Sequence, residues 1–246
     1  MDCYKEFAYI YDELINVDID YSSFGEFILK ICDKNSVHRE NYLDLACGTG
    51  NLTETIYKNF KHSFGVDMSS EMLTEAERKM RNNPSKPKFI CQDICELNIN
   101  KEFELITCCL DSINYITEES SLEALFISVK KHLSSAGIFV FDINSYHKIK
   151  NILGNNTFTY DDADVFYVWE NKFEDEIVDM FLTFFIKKGE SYYRIDEEHS
   201  ERAYESEFII ELLKQCGLEI IDILDCQDKP ISEETERITF VAKIRE

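Results

Sequence analysis

The sequence predicts an α/β protein: a seven-stranded, mostly parallel sheet with helices on both faces, interrupted late in the chain by an antiparallel β meander. Three observations lead there. From about Asn41, short apolar runs alternate with amphipathic segments; the first run passes straight into a glycine-bearing loop; and after Asp142 the rhythm changes to long extended segments joined by short polar turns.

The elements follow in order. Two amphipathic stretches, Tyr4 to Ile15 and Phe24 to Cys32, precede the alternating core and are expected to pack over one end of it. Strands are predicted at Tyr42 to Ala46, Ser63 to Asp67, Lys88 to Cys91, Phe103 to Leu110 and Ile138 to Asp142. Between them, Leu52, Ile56 and Phe60, then Met72, Ala76 and Met80, then Leu122, Leu125, Phe126, Val129 and Leu133 recur at helical spacing, with Ser69 and Thr117 in N-cap positions. Val165 to Phe173, Ile177 to Ile186 and Tyr192 to Arg202 read as the meander. A helix marked by Ile209, Leu212, Leu213 and Cys216 stops at Gly217, and strands at Leu218 to Asp225 and Arg237 to Ile244 are expected to form a hairpin at the sheet edge. The expected organisation is a core of residues 1–150 and 204–246, with 151–203 inserted over the active site.

Composition narrows the function. The 246 residues are 44% hydrophobic, enough for one sizeable core. With 48 acidic against 26 basic residues the formal net charge is -22, which repels phosphate backbones and argues against nucleic acid. No apolar run approaches membrane-spanning length, and Met1 to Glu6 lacks a basic segment followed by an apolar one, so a cytoplasmic protein without a membrane partner is expected. The nine cysteines are odd in number and form no pair of CxxC clusters; reduced core residues are expected, and no metal centre.

The sharpest local signal is Asp44-Leu45-Ala46-Cys47-Gly48-Thr49-Gly50 between the first strand and a helix. Gly48 and Gly50 let the backbone pass close beneath a ligand. A dinucleotide loop of the G-x-G-x-x-G type would place its third glycine at Thr53, where it is absent, so the site suits a nucleoside without a pyrophosphate. Asp67, ending the second strand, can accept both ribose hydroxyls. Gln92, Asp93 and Ile94, ending the third, offer an acceptor for an adenine amino group and an apolar neighbour for the ring.

These residues resemble the first motifs of class I S-adenosylmethionine-dependent methyltransferases, with Ala46 in place of the first of three alternate glycines. The resemblance covers Asn41 to Asp142 and the chain after Ala203, and implies a Rossmann-like core. It also implies S-adenosylmethionine as donor, held by Asp44, Ala46, Gly48, Asp67, Met68 and Asp93 with Cys47, Thr49, Gly50, Met72, Gln92 and Ile94 around them. Leu110, Asp111 and Ser112 are placed beside its methionine half. Within that family the start, with Tyr4, Phe7 and Tyr11, and the stretch Leu110-Asp111-Ser112-Ile113-Asn114-Tyr115 resemble amino-sugar N-methyltransferases and related bacterial proteins; the aromatic start implies side chains closing over the donor.

Methyl transfer is an in-line displacement in which positioning supplies much of the rate. The stretch after the fourth strand lacks the prolines of exocyclic adenine methylation, and no Pro-Cys nucleophile for cytosine exists. Asp111, Asp142 and Asn144 could offer oxygen ligands to magnesium, but Asp142 is better read as a cap on the loop after its strand. The insert carries many aromatics and carboxylates, which together favour a cation, so a small amine is the expected acceptor. His199 and Tyr115 are the candidate catalytic pair, with Asn114, Tyr146, Trp169 and Arg194 as further acceptor contacts. A nicotinamide-dependent oxidoreductase and a donor-binding module without catalysis remain as alternatives. Oligomeric state is left open.

Overall fold

The computed structural model describes residues 19–225 and 230–245. The stretch Tyr4 to Ile15 lies outside them. The other stretch forms α1 (Tyr21–Lys34), whose side-chain cap is Asp20 accepting from the Ser23 N–H. It does not sit over one end of the core. Phe24, Phe27, Ile28 and Ile31 pack with Leu52 and Ile56 on Leu105, Val140 and Val241, covering a face of the sheet.

The core strands are β1 (Asn41–Leu45), β2 (His62–Asp67), β3 (Lys88–Cys91), β4 (Phe103–Cys108) and β5 (Leu133–Asn144). The helices between them are α2 (Asn51–Ile56), α3 (Ser70–Met80) and α4 (Glu119–His132). The chain closes with α5 (Ser206–Gln215), β10 (Leu218–Asp225) and β11 (Arg237–Ile244). The seven strands lie in the order β10, β11, β5, β4, β1, β2, β3, with β1 to β5 parallel and β11 antiparallel to both neighbours. β11 is therefore interior, and of this hairpin only β10 is an edge. Its residues explain this: Phe240, Val241 and Ala242 are fully buried, as a strand covered on both faces requires.

The second face is closed by α4 and α5, which bury Leu122, Leu125, Phe126, Ile209 and Leu213 against Phe139, Phe141 and Phe240. The three sheet phenylalanines stack, with ring centroids 4.7 and 5.1 Å apart. Each such side chain contributes roughly 2 to 3 kcal/mol through the apolar area it removes from water.

Three boundaries differ from expectation. Ser69 caps α3 as predicted, accepting from the Met72 N–H, but α4 starts from Glu118 without a side-chain cap, and the Thr117 carbonyl accepts from Arg202. Leu133 begins β5 rather than ending the helix. β4 stops at Cys108, since Leu110 and Asp111 turn into the left-handed region, at φ 60 and 55.

The insert is a separate antiparallel sheet of β6 (Thr157–Asp161), β7 (Val165–Glu174), β8 (Ile177–Lys188) and β9 (Ser191–Arg202), in sequential order. A short π-helical stretch, Lys148–Leu153, leads into it. Register places Trp169 opposite Leu182, Leu182 in turn opposite Glu197, and Met180 opposite His199. The face carrying Tyr167, Trp169 and Phe173 also carries buried Val178, Met180, Phe184 and Ile195, so it is the inward face.

Candidate active site

The donor loop is built from unusual backbone. Ala46, Gly48 and Gly50 have φ of 52, 53 and 78, alternating left-handed residues that bend the chain from β1 into α2. Ala46 bears the strain of that conformation, about 1 to 2 kcal/mol for a residue with a Cβ. The two glycines serve different purposes. A Cβ on Gly50 would stand 2.7 Å from Met80 Cε and 3.1 Å from Ala76, so Gly50 admits α3. A Cβ on Gly48 would meet nothing within 4 Å; Gly48 faces open space, the cradle expected under a ligand.

The loop is tied down from both sides. Asp67, at the end of β2, accepts the Gly48 N–H at 2.8 Å and the Ser69 N–H at 2.9 Å, leaving further lone pairs on both oxygens. Asp44 is buried beneath the loop and accepts from the Thr53 hydroxyl at 2.5 Å and the Thr107 hydroxyl at 2.6 Å. Burial pushes its carboxyl up to about 6, outweighing the hydroxyl donors that favour the charge. Thr49 receives a bond from Lys79 at 3.1 Å, and Cys47 donates its N–H to Val66. Burial lifts the Cys47 thiol well above its ordinary range, so it is no thiolate.

At the rim, Met68 is 76% exposed and Met72 half-buried beside it in sequence. Asp93 accepts the Cys95 N–H at 2.8 Å and heads a short 3-10 turn beginning at Ile94. The Gln92 amide folds back onto Glu96 and Asn98. Tyr4, Phe7 and Tyr11 lie outside the described residues.

After β4 the left-handed pair Leu110 and Asp111 is held by Asp142, whose carboxylate accepts both of their N–H groups at 2.8 Å. Asp142 thus caps the loop after β4, not the one after its own strand. Arg237, from β11, reaches Asp142 and Asp111 at 2.5 Å each. Burial opposes the guanidinium charge, and the two carboxylates overcome it. A cation of the chain itself thus stands between Asp111 and Asp142. Ser112 donates to the Cys109 carbonyl.

Asn114 is fully buried, and its amide serves the frame rather than an open site. Its Nδ2 donates to the Asn144 and Arg202 carbonyls and its Oδ1 accepts the Asn144 N–H at 2.9 Å, fastening β9 to the end of β5. Beside it the structure brings Tyr115 and His199 together, edge to face at 5.9 Å. Burial lowers the His199 pKa and favours the neutral imidazole. Tyr146 and Trp169 lie in one apolar cluster with Phe158 and Phe173 on the inward face. Arg194 is not brought to this place: it alternates to the outward face, is exposed, and pairs with Asp196 at 2.8 Å.

Two participants escaped sequence reading. Arg237 is 95 residues from Asp142, and no local pattern announces the pairing. Glu201, 3% exposed on β9, accepts from Asn144 Nδ2 at 2.9 Å, and burial raises its carboxyl to about 8, with Asp111 adding to the effect. The odd register of Glu197, His199 and Glu201 on a strand with an apolar inward face was the available signal.

Fold and loop together define a doubly wound nucleoside-binding protein with its ligand loop after β1. Residues 43–137 match the model of the methyltransferase domain family. A crystal structure of an S-adenosylmethionine-dependent methyltransferase from Clostridium acetobutylicum ATCC 824 is 51% identical, with TM-score 0.94, over 99% of this chain and 100% of that one. The Bacillus subtilis (strain 168) protein named "Putative methyltransferase YqeM" is 31% identical over 98% of this chain and 96% of its own. A dTDP-3-amino-3,4,6-trideoxy-alpha-D-glucopyranose N,N-dimethyltransferase of Streptomyces venezuelae is 24% identical over half of each chain. The chain belongs to the class I S-adenosylmethionine-dependent methyltransferases, and its cofactor is S-adenosylmethionine.

Proposed function

We propose that the protein methylates the nitrogen of a small-molecule amine. The observation that carries this reading is the Tyr115–His199 pair, where an imidazole kept neutral by burial faces the loop after β4. The sugar N,N-dimethyltransferase among its relatives supports the same acceptor chemistry.

In this reading residues 1–150 and 204–246 hold the donor and 151–203 the acceptor. Ala46 to Gly50 pass beneath the donor, Asp67 accepts its ribose hydroxyls with the lone pairs left after Gly48 and Ser69 are bonded, and Met68, Met72, Asp93 and Ile94 border its base. Asp44 acts through Thr53 and Thr107 as a positioning residue. When bound, S-adenosylmethionine would supply a methyl group on a sulfonium, the carbon–sulfur bond breaking toward sulfur as an aligned nitrogen lone pair bonds the methyl carbon and the thioether leaves.

What the chain must then provide is an amine that is neutral at the moment of attack and in line with that methyl. His199 takes the proton on its unprotonated nitrogen, and Tyr115 flanks the acceptor. Tyr146 and Trp169 supply apolar walls on the inward face. A panel of amines, amino sugars, alcohols and carboxylic acids, scored by transfer of labelled methyl, tests this. Label is expected on amines; label confined to oxygen acceptors would overturn it.

A further inference from the structure

Glu201 has no use in the mechanism so far, yet it is a carboxylate placed where water scarcely reaches it. It stands on the inward face of β9 two residues beyond His199, which puts the two side chains on the same side of the strand about 7 Å apart along it. Its hydrogen-bond partner is the amide of Asn144, at the end of β5. No ion pair reaches it among the described residues. The cations nearby are engaged elsewhere: Arg237 bonds Asp111 and Asp142, and Lys148 donates to the other end of the Asn144 amide at 3.0 Å. Three carboxylates, Asp111, Asp142 and Glu201, thus share two cations, and Glu201 is the one without a direct partner. A buried carboxylate in that position is costly unless something cationic joins it.

We propose that Glu201 is the subsite for the positive charge of the acceptor: its carboxylate, at the seam between β9 and the end of β5, receives the protonated amine of a small molecule. This rests on the amine reading above and deepens it. Glu201 draws the ammonium form out of water, and His199, one step back along the same strand face, is placed to take the proton when the nitrogen attacks. The raised Glu201 carboxyl agrees with this, because burial has left it short of a counter-charge and an arriving ammonium supplies one. Asn144 orients the carboxylate, and the Asn114 bonds to Asn144 and Arg202 keep β9 in register with it.

The test uses an isosteric pair of probes, cyclohexylamine and cyclohexanol, with the full chain saturated in S-adenosylhomocysteine. Calorimetry is expected to give at least tenfold tighter binding of the amine. Glu201→Gln should abolish that preference and Glu201→Asp should keep part of it. Equal binding of the two probes to the unaltered protein, or a preference that survives in Glu201→Gln, would overturn the assignment. Should Glu201→Gln fold poorly, infrared spectroscopy of the unaltered protein labelled with 13C-glutamate at neutral pH decides instead: the amine should convert one buried carboxylic acid to carboxylate, and no conversion counts against it. Amine binding that depends on Glu201 while no amine in the acceptor panel is methylated would leave the subsite standing and remove the N-methylation reading. Methylated amines whose KM is unchanged in Glu201→Gln would do the reverse.

Discussion

Burial disfavours charge on both Asp44 and His199, and because one is an acid and the other a base the two shift in opposite directions. For Asp44 the folded value of about 6 lies above the ordinary 3.8. Its stabilising contribution is therefore complete below about pH 4 and is lost as pH rises through about 6, a loss of about 3 kcal/mol by linkage. Asp44→Asn stays neutral throughout, so its stability relative to the unaltered protein should improve between about pH 4 and 7 in urea titrations. A difference flat with pH would refute the burial argument. His199 is displaced the other way, below 6.5. The base form then prevails at neutrality, and kcat/KM should fall on the acid side as pH drops through the depressed pKa. His199→Ala should lower turnover by about 10²-fold or more with affinity for S-adenosylhomocysteine held within twofold, read by labelled-methyl assay and calorimetry.

Among the elements, the strand-to-helix loop offers the cleanest contrast. Gly50→Ala forces a Cβ against Met80 and Ala76 in a left-handed residue, and is expected to cost about 2 kcal/mol or more, a Tm drop of about 4 °C or more. Gly48→Ala meets no protein atom, so its stability cost is confined to backbone strain of about 1 kcal/mol, while the new methyl enters the open side and weakens S-adenosylhomocysteine binding by more than tenfold. Differential scanning calorimetry with ligand titration separates the two. Such distinctions explain what could be read from sequence. The strands ending at Leu45, Asp67 and Cys91 are legible because their apolar runs meet glycine or polar residues at their ends. β6 was overlooked because Thr157-Phe158-Thr159-Tyr160-Asp161 is short and only half apolar, although its alternation after Gly154-Asn155-Asn156 is a strand signal. The Lys148–Leu153 stretch has no periodic signature of its own. Asn114 is expected at the acceptor from the resemblance carried by Leu110 to Tyr115, and in the fold its amide joins the ends of two sheets. Arg194 and His199, five residues apart in one strand, face opposite ways by alternation, and the folded register shows which of the two faces is inward.

For the molecule as a whole, charge is the dominant property. A net -22 on 246 residues loads the folded state with self-repulsion that ions screen. Thermal unfolding is expected to shift upward as sodium chloride rises from about 0.02 to 0.5 M, while KM for a cationic acceptor grows over the same range. An unfolding midpoint that falls with salt would contradict the first expectation. The described residues contain no helix long and apolar enough to cross a membrane.

β11 has one more consequence, in time rather than in space. It is synthesised after both of its neighbours, yet it lies between β5 and β10 and carries the guanidinium that clamps the corner after β4. Until residues 237–244 have emerged, β5 is an open, hydrophobic edge and β10 has no partner. The interior of the sheet and the corner after β4 are therefore completed together, once β11 has joined β5. A chain stalled shortly before Arg237 should therefore expose a sticky strand and engage chaperones, and emergence of β11 should dismiss them.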